Sequence, residues 1–435
     1  MPSFESRRQF LYQCALSCSG IFCSSLSSCS SDRTNPHILL KSGWQTVNIG
    51  DIAHTPGILA LLKQYIPEAE ITLWPKRSDR GVREMLKRHF PDLEILAGSA
   101  ETDAPSAQKQ WQQAIHKADF LLHGSGPSVA GRDSVKLWME QTDKPFGILG
   151  VTIGRIRDIY KQILSASEFV FTRETKSLDN IKEAKLQCPV NDFAPDATFA
   201  MDILNEDKAT RFLAQHHLKE QQYICVIPRL RKTPYHKVYE HNKWPEEKIK
   251  QVKALNDKHK HKDHGKLREV MIKWVRETGY DVLICPEMTY QLEIMDELLI
   301  DPLPEDIKKH VVKRDTYWLP DEAASVYKRA HTVISLECHS PIIAAAQGTP
   351  CFYVRQPEDS IKGQMWYDIG LDDWIFEIDQ IQGADISKQL FQIHNDYPAA
   401  LDKLQQAMQG VRNQYQKAMQ IVRENVMTAS QKSKR

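Results

Sequence analysis

The chain has 435 residues, more than one ordinary hydrophobic core accommodates, so two domains of roughly 150 to 200 residues are expected. With 57 Lys+Arg against 56 Asp+Glu its formal charge is +1, which makes no case for nucleic-acid binding, while 41% hydrophobic residues suffice to build real cores. Beyond residue 40 no window offers the ~18 unbroken apolar residues that a membrane-spanning helix needs.

The N-terminus differs from the rest. Ser6-Arg7-Arg8-Gln9-Phe10-Leu11 looks like a twin-arginine export signal, and a mildly apolar, small-residue stretch follows from Phe10 to Leu26. Leu26-Ser27-Ser28-Cys29 resembles a bacterial lipobox, whose cysteine carries lipid in the mature protein. Residues 1–36 therefore read as leader and tether. The expectation is an exported protein, periplasmic or membrane-anchored through Cys29, with the twin-arginine machinery as a partner; if the leader does not function, the protein stays cytoplasmic. Cys225, Cys285, Cys338 and Cys351 lie in apolar runs where a thiol acts as a small hydrophobe, and with Cys188 they make an odd set without CxxC spacing. No disulfide framework is predicted.

From residue 37 short apolar runs alternate with amphipathic helical ones, the pattern of a layered α/β fold with a mainly parallel sheet. Strands are predicted near 37–42, 69–74, 93–97, 119–123, 146–151 and 168–172, with helices between them, giving a doubly wound Rossmann-like domain over 37–200. Ligands of such sheets sit at the strands' carboxyl ends, where this chain places Asn48-Ile49-Gly50-Asp51, Gly124-Ser125-Gly126, and Arg173 with Ser177 a helical turn on. Asn191 to Phe199 reads as a bridge. A second alternating region over 201–385 has strands near 222–228, 280–285, 310–313, 331–337 and 350–354. Its insertion, 232–266, contains KHKHKDHGK; lysines alternate with His259, His261 and His264 and oppose a bound cation, so this stretch reads as a solvated loop. Residues 386–435 read as helices, with Leu401, Leu404, Met408, Val411, Tyr415, Met419, Val422 and Val426 on one apolar face and a frayed tail after Met427.

The stretch His331–Pro350, HTVISLECHSPIIAAAQGTP, concentrates the chemistry. An apolar strand runs into a helix opened by Ser340-Pro341 and stopped by Gly348. Glu337 and His339, two residues apart, should project together beside free N–H groups at the positive end of a helix dipole, an anion site with a proton donor next to it.

Taken in order, Asn48-x-Gly50-Asp51, the 124–126 glycine loop, Arg173 with Ser177, Pro195-Asp196, and His339-x-x-Ile342-x-Ala344-x-x-x-Gly348-x-Pro350 resemble the motifs of the polysaccharide pyruvyl transferase family, over roughly residues 40 to 390. The resemblance implies two Rossmann-like domains facing across a cleft, as in B-type glycosyltransferases. It also implies transfer of a pyruvyl group from phosphoenolpyruvate, or another anionic donor, to a sugar of a cell-surface glycan. No metal or organic cofactor is obligatory for that chemistry, which needs a general acid and a cationic phosphate cradle. By position His339 is the candidate acid, with Glu337 beside it and Asp51 a base for the acceptor hydroxyl. Arg229, Arg231 and Arg355 are candidates for the phosphate. Asn48, Gly50, Gly124, Ser125, Gly126 and Arg173 would line the acceptor side, and Trp366 would stack on a sugar.

Two features depart from the family. Glu337 stands where its pattern often has arginine, and export would part the enzyme from a cytoplasmic donor. A nucleotide-sugar glycosyltransferase on the same frame, and an exported glycan-binding lipoprotein without catalysis, remain open as alternatives.

Overall fold

The computed structural model describes residues 35–96, 105–239 and 242–434; the export and lipobox motifs lie outside these residues. Strands β1 (His37–Lys41), β2 (Glu70–Trp74), β3 (Glu94–Ile95), β4 (Phe120–His123), β5 (Phe146–Val151), β6 (Phe169–Thr172) and β7 (Val190–Phe193) form one sheet in the order 3-2-1-4-5-6-7. A second sheet joins β8 (Tyr223–Ile227), β9 (Asp281–Ile284), β10 (Val311–Lys313), β11 (Thr332–Ser335), β12 (Cys351–Arg355) and β13 (Ile375–Glu377) in the order 10-9-8-11-12-13. Every named strand pair is parallel.

The sequence dictates this layering. HILLK, FLLH, FGILGV, YICVI and TVIS are apolar on both strand faces and buried throughout, as befits sheets covered by helices on each side. Strand order reverses between β1 and β4 and again between β8 and β11, so each sheet has a crevice at its carboxyl edge. The predicted strands fall on β1–β6 and β8–β12. Two edge strands lie outside those predictions: β7, inside the stretch read as a bridge, and β13. Both are short and only partly buried, so VNDF and IFE lack the continuous apolar run.

The insertion is a correction. It contains no solvated loop at KHKHKDHGK; that segment lies within a 33-residue helix, Glu246–Thr278, ended by Gly279 in the left-handed region. Its buried face, Asp263, His264, Leu267, Val270, Met271 and Trp274, keeps helical spacing that the lysine-histidine alternation masks. His264 Nε2 accepts the backbone N–H of Arg229 at 3.3 Å, which ties the insertion to the end of β8.

The C-terminal helix, Tyr397–Ser433, also outruns its prediction, since it continues past Met427 rather than fraying there. It packs on the helices Ile49–Tyr65 and Gly383–Asn395, one from each half of the molecule. Leu404, Met408, Val411, Tyr415, Met419, Val422 and Val426 are buried on it, while Leu401 is exposed. The Tyr415 hydroxyl donates to the Asp196 carbonyl at 2.5 Å. Among the described residues no helix is long and apolar enough to cross a membrane.

The helix Ile49–Tyr65 lies so close to the turn Ala197–Ala200 that a Cβ on Gly57 would overlap the Ala197 carbonyl. Neither side can yield, because both are backbone. Gly57→Ala is therefore expected to cost about 1–3 kcal/mol, as overpacking does, read as a lower urea midpoint at unchanged slope.

Candidate functional site

The carboxyl edges of the two sheets open onto one cleft of about 480 Å³. Its lining follows strand ends: Trp44, Gln45, Asn48 and Asp51 after β1, Lys76 and Arg77 after β2, Arg173 after β6, Arg229 and Tyr235 after β8, Met288 after β9, Glu337 and His339 after β11, Lys362 after β12. Backbone pairing closes the floor. Ile49 N–H donates to the Glu287 carbonyl at 2.9 Å and Thr289 N–H to the Val47 carbonyl at 3.0 Å, and Val47, Met288 and Tyr290 bury a small apolar cluster there.

His339 opens the helix His339–Ala346, yet the N–H groups beside it are not all free for a ligand. Glu287 Oε2 accepts both the Ser340 N–H, at 2.6 Å, and the Ser340 hydroxyl, at 2.8 Å. The expected anion site is thus filled by the protein's own carboxylate, which suits the positive end of the helix. Glu287 Oε1 lies 3.7 Å from His339 Nδ1, and Asp196 Oδ2 lies 3.7 Å from Nε2. Burial alone would discharge the imidazole; the two carboxylates outweigh it and lift His339 from 6.5 to about 9. At neutral pH the ring carries a proton.

The carboxylates are held in turn. Asp196 takes the Arg173 guanidinium at 2.6 Å, His54 Nδ1 at 3.0 Å and the Thr198 N–H at 2.9 Å; against its burial, His54 and Arg173 keep it well below the usual carboxylate range. His54, fully buried, is pushed down by desolvation. Glu287, despite equal burial, is held down by His339 and Ser340. Glu337 behaves oppositely: burial raises it to about 8, with Arg229 opposing and Glu287 adding to the rise. Its Oε2 lies 3.2 Å from Arg229 Nε and its Oε1 accepts from Gln291 Nε2 at 2.9 Å. Arg229 also pairs with Asp359, which it and Lys362 hold low against burial.

Several residues singled out in the sequence meet here and others do not. Asn48, Asp51, Arg173, Arg229, Glu337 and His339 line the cleft. Asn48 spends its side-chain oxygen on the N–H groups of Gly50 and Asp51, at 2.7 and 3.3 Å, and Asp51 accepts a hydrogen bond from Gln45. Gly50 is needed for close approach, since a Cβ there would enter the His339 ring. The glycine loop turns inward instead of facing a ligand. Ser125 is buried against His54 at 2.9 Å, its carbonyl takes the Trp44 indole N–H at 2.7 Å, Gly124 packs on Ser42 and Gly126 lies under Trp44.

Like Gly50 and the 124–126 loop, three more residues lie outside the cleft lining. Arg231 is clamped by Asp263, at 2.8 and 2.9 Å, and by Asp379. Arg355 pairs with Glu377 at 2.6 Å on a separate groove. Trp366 is fully buried beside Tyr353, with no ring face left for a sugar. Of the three arginines expected to hold phosphate, Arg229 alone lines the cleft, where Arg173, Lys76, Arg77 and Lys362 are the other cations.

Sequence reasoning missed His54 and Glu287 and quoted Asp196 only within a motif. Glu287 had a signal, a carboxylate placed just after the apolar run DVLIC; His54 had none beyond its place in a buried helix. His54, Asp196 and His339 could reach one cation, but the Arg173 guanidinium already rests on Asp196 at 2.6 Å and opposes a second positive charge there.

Removing one carboxylate should expose this balance. In Glu287→Gln the His339 titration, followed by NMR, is expected to fall from about 9 toward 6.5. Because the native value is the raised one, the stability His339 contributes is full below 6.5 and lost as pH rises through about 9; the variant loses that alkaline dependence.

Among curated proteins none matches this sequence. Solved structures share the fold. A UDP-GlcNAc 2-epimerase from Neisseria meningitidis bound to UDP-GlcNAc aligns with a TM-score of 0.53 at 11% identity, over 89% of this chain and 100% of its own. Anabaena HepE in complex with UDP-glucose aligns at 0.52 and 11%, over 91% and 97%. A UDP-glucosyltransferase from Polygonum tinctorium aligns at 0.51 and 11%, over 90% and 99%. At such identities the likeness concerns the fold: two Rossmann-like units facing across a cleft. The family model for polysaccharide pyruvyl transferase matches residues 48–356, and the chain belongs to that family.

Proposed function

We propose that this transferase moves a pyruvyl group from phosphoenolpyruvate to two hydroxyls of one sugar in a glycan, forming a ketal and releasing phosphate. The observation that carries this reading is His339 at the cleft, set 3.7 Å from each of two buried carboxylates, Glu287 and Asp196, that favour its protonated form. The donor's methylene takes that proton and becomes a methyl group; the first sugar hydroxyl adds to the neighbouring carbon and its proton returns to the enzyme. Phosphate then leaves with the C–O bond pair. The second hydroxyl closes the ketal, and its proton departs with phosphate. General acid catalysis of this kind needs a group protonated at working pH, which the carboxylate pair supplies.

Glu337 fits this scheme better than its formal charge suggests. Raised to about 8, it is mostly neutral at pH 7, so it does not repel a phosphate dianion drawn to Arg229 and Lys362. Asp51, on the opposite wall, is the candidate base for the acceptor hydroxyl.

Incubation of the protein with phosphoenolpyruvate and glycan acceptors in D2O is expected to place deuterium in the methyl group of the product, seen by mass spectrometry. His339→Gln should keep donor binding and lose turnover by about 10²-fold or more, the usual contribution of a general acid. Unchanged turnover would remove His339 from the mechanism. Tight UDP binding with none of phosphoenolpyruvate would select a nucleotide-sugar donor instead.

For location, the Ser6–Leu11 and Leu26–Cys29 motifs support export. Mass analysis of the mature N-terminus is the check; a lipid on Cys29 outside the cytoplasm would move the donor away from phosphoenolpyruvate to another anion.

A further inference from the structure

A second groove of about 590 Å³ continues the central cleft, within the ~300–1,000 Å³ range of small-molecule sites. The two share Arg229, Thr233 and Tyr235. The insertion builds its outer part: Lys232, Trp244 and Lys248 form the walls, with Gln251, Val252 and Leu255 from the long helix. Beyond Arg229 at the junction, nothing in the proposed donor chemistry uses it.

The walls are preorganised. Buried Asn256 clamps the Lys232 backbone from both sides, accepting its N–H at 2.9 Å and donating to its carbonyl at 2.8 Å. Arg231, fixed by Asp263 and Asp379, forms a neutralised floor. Trp244 is part-exposed, with the His236 ring 5.0 Å away and the Lys248 ammonium 4.0 Å from its centroid. Lys232 and Lys248 are exposed, and among the described residues Glu358 is the one acid in the lining. The Lys248 ammonium covers the indole ring at rest; a sugar carboxylate that takes this lysine would uncover the face for the C–H groups of a pyranose ring. A polymer entering the cleft must also leave it, and this groove is contiguous.

We propose that the groove binds an acidic oligosaccharide, the part of the acceptor glycan beyond the sugar that reacts. The proposal rests on the transferase reading for its biological meaning, while the binding it predicts is independent of the donor. The stacking face is Trp244; the carboxylate partners are Lys232 and Lys248.

The test titrates the full chain with oligomannuronate and heparosan tetrasaccharides, and with maltotetraose as a neutral control, by calorimetry at two salt concentrations. An acidic tetrasaccharide should bind, more weakly at high salt, and maltotetraose should bind at least about tenfold more weakly. Trp244→Ala and Lys248→Glu should each weaken the acidic probe about tenfold, the loss of one stacking or one charge contact in such a site. Lys248 is exposed, so Lys248→Glu keeps the thermal midpoint and guards against a folding artefact. Binding of phosphoenolpyruvate is followed in the same proteins and should not change. No binding of either acidic probe, equal binding of maltotetraose, or undiminished binding by Lys248→Glu would each overturn the proposal. Acidic-probe binding that meets these marks without phosphoenolpyruvate binding would leave it standing and remove the donor reading instead.

Discussion

One buried carboxylate, Glu287, joins the parts of this molecule on which the site depends. Its carbonyl receives Ile49 from the facing half, one of its oxygens closes the N-terminus of the helix that begins with His339, and the other faces the imidazole. A carboxylate without such partners would be costly to bury. Here a helix end and an imidazolium offset that cost, and the proton on His339 follows from the same contacts. Charge state, helix position and the meeting of the two halves therefore form a single electrostatic unit.

Charge in the cleft is balanced rather than one-sided. Arg173 answers Asp196 and Glu174, and Arg229 answers Asp359 and Glu337. The guanidinium groups are therefore already fixed in direction, which would leave little ordering for the moment an anion binds. What tips the balance is protonation: with His339 charged and Glu337 largely neutral at pH 7, the pocket is more positive than a count of its carboxylates implies.

The fold was legible because its evidence is local. Runs such as FGILGV and TVIS announce buried parallel strands, and the loops after them mark the cleft edge. His339, Glu337, Arg229 and Asp51 were found by that logic, from their positions just past strand ends. Arg231, Arg355 and Trp366 satisfy the same positional rule yet sit outside the cleft lining. What decides their orientation is a distant acid or a local pack, Asp379 for Arg231, Glu377 for Arg355 and Tyr353 for Trp366, which adjacent sequence cannot reveal. The reverse holds for Glu287 and Asp196, whose importance arises only when two sheets face each other. The long insertion helix escaped notice because lysines at neighbouring positions blurred its apolar stripe.

The C-terminal helix sets a limit on how this cleft can breathe. It lies against helices of both halves, and its Tyr415 hydroxyl reaches the backbone of Asp196, one of the two carboxylates facing His339. Any wide rigid-body swing of one half would drag that strap across its own apolar seam and shift Asp196, and with it the setting of His339. A ligand small enough for the cleft then meets the Asp196–His339 pair in a geometry that the strap itself maintains.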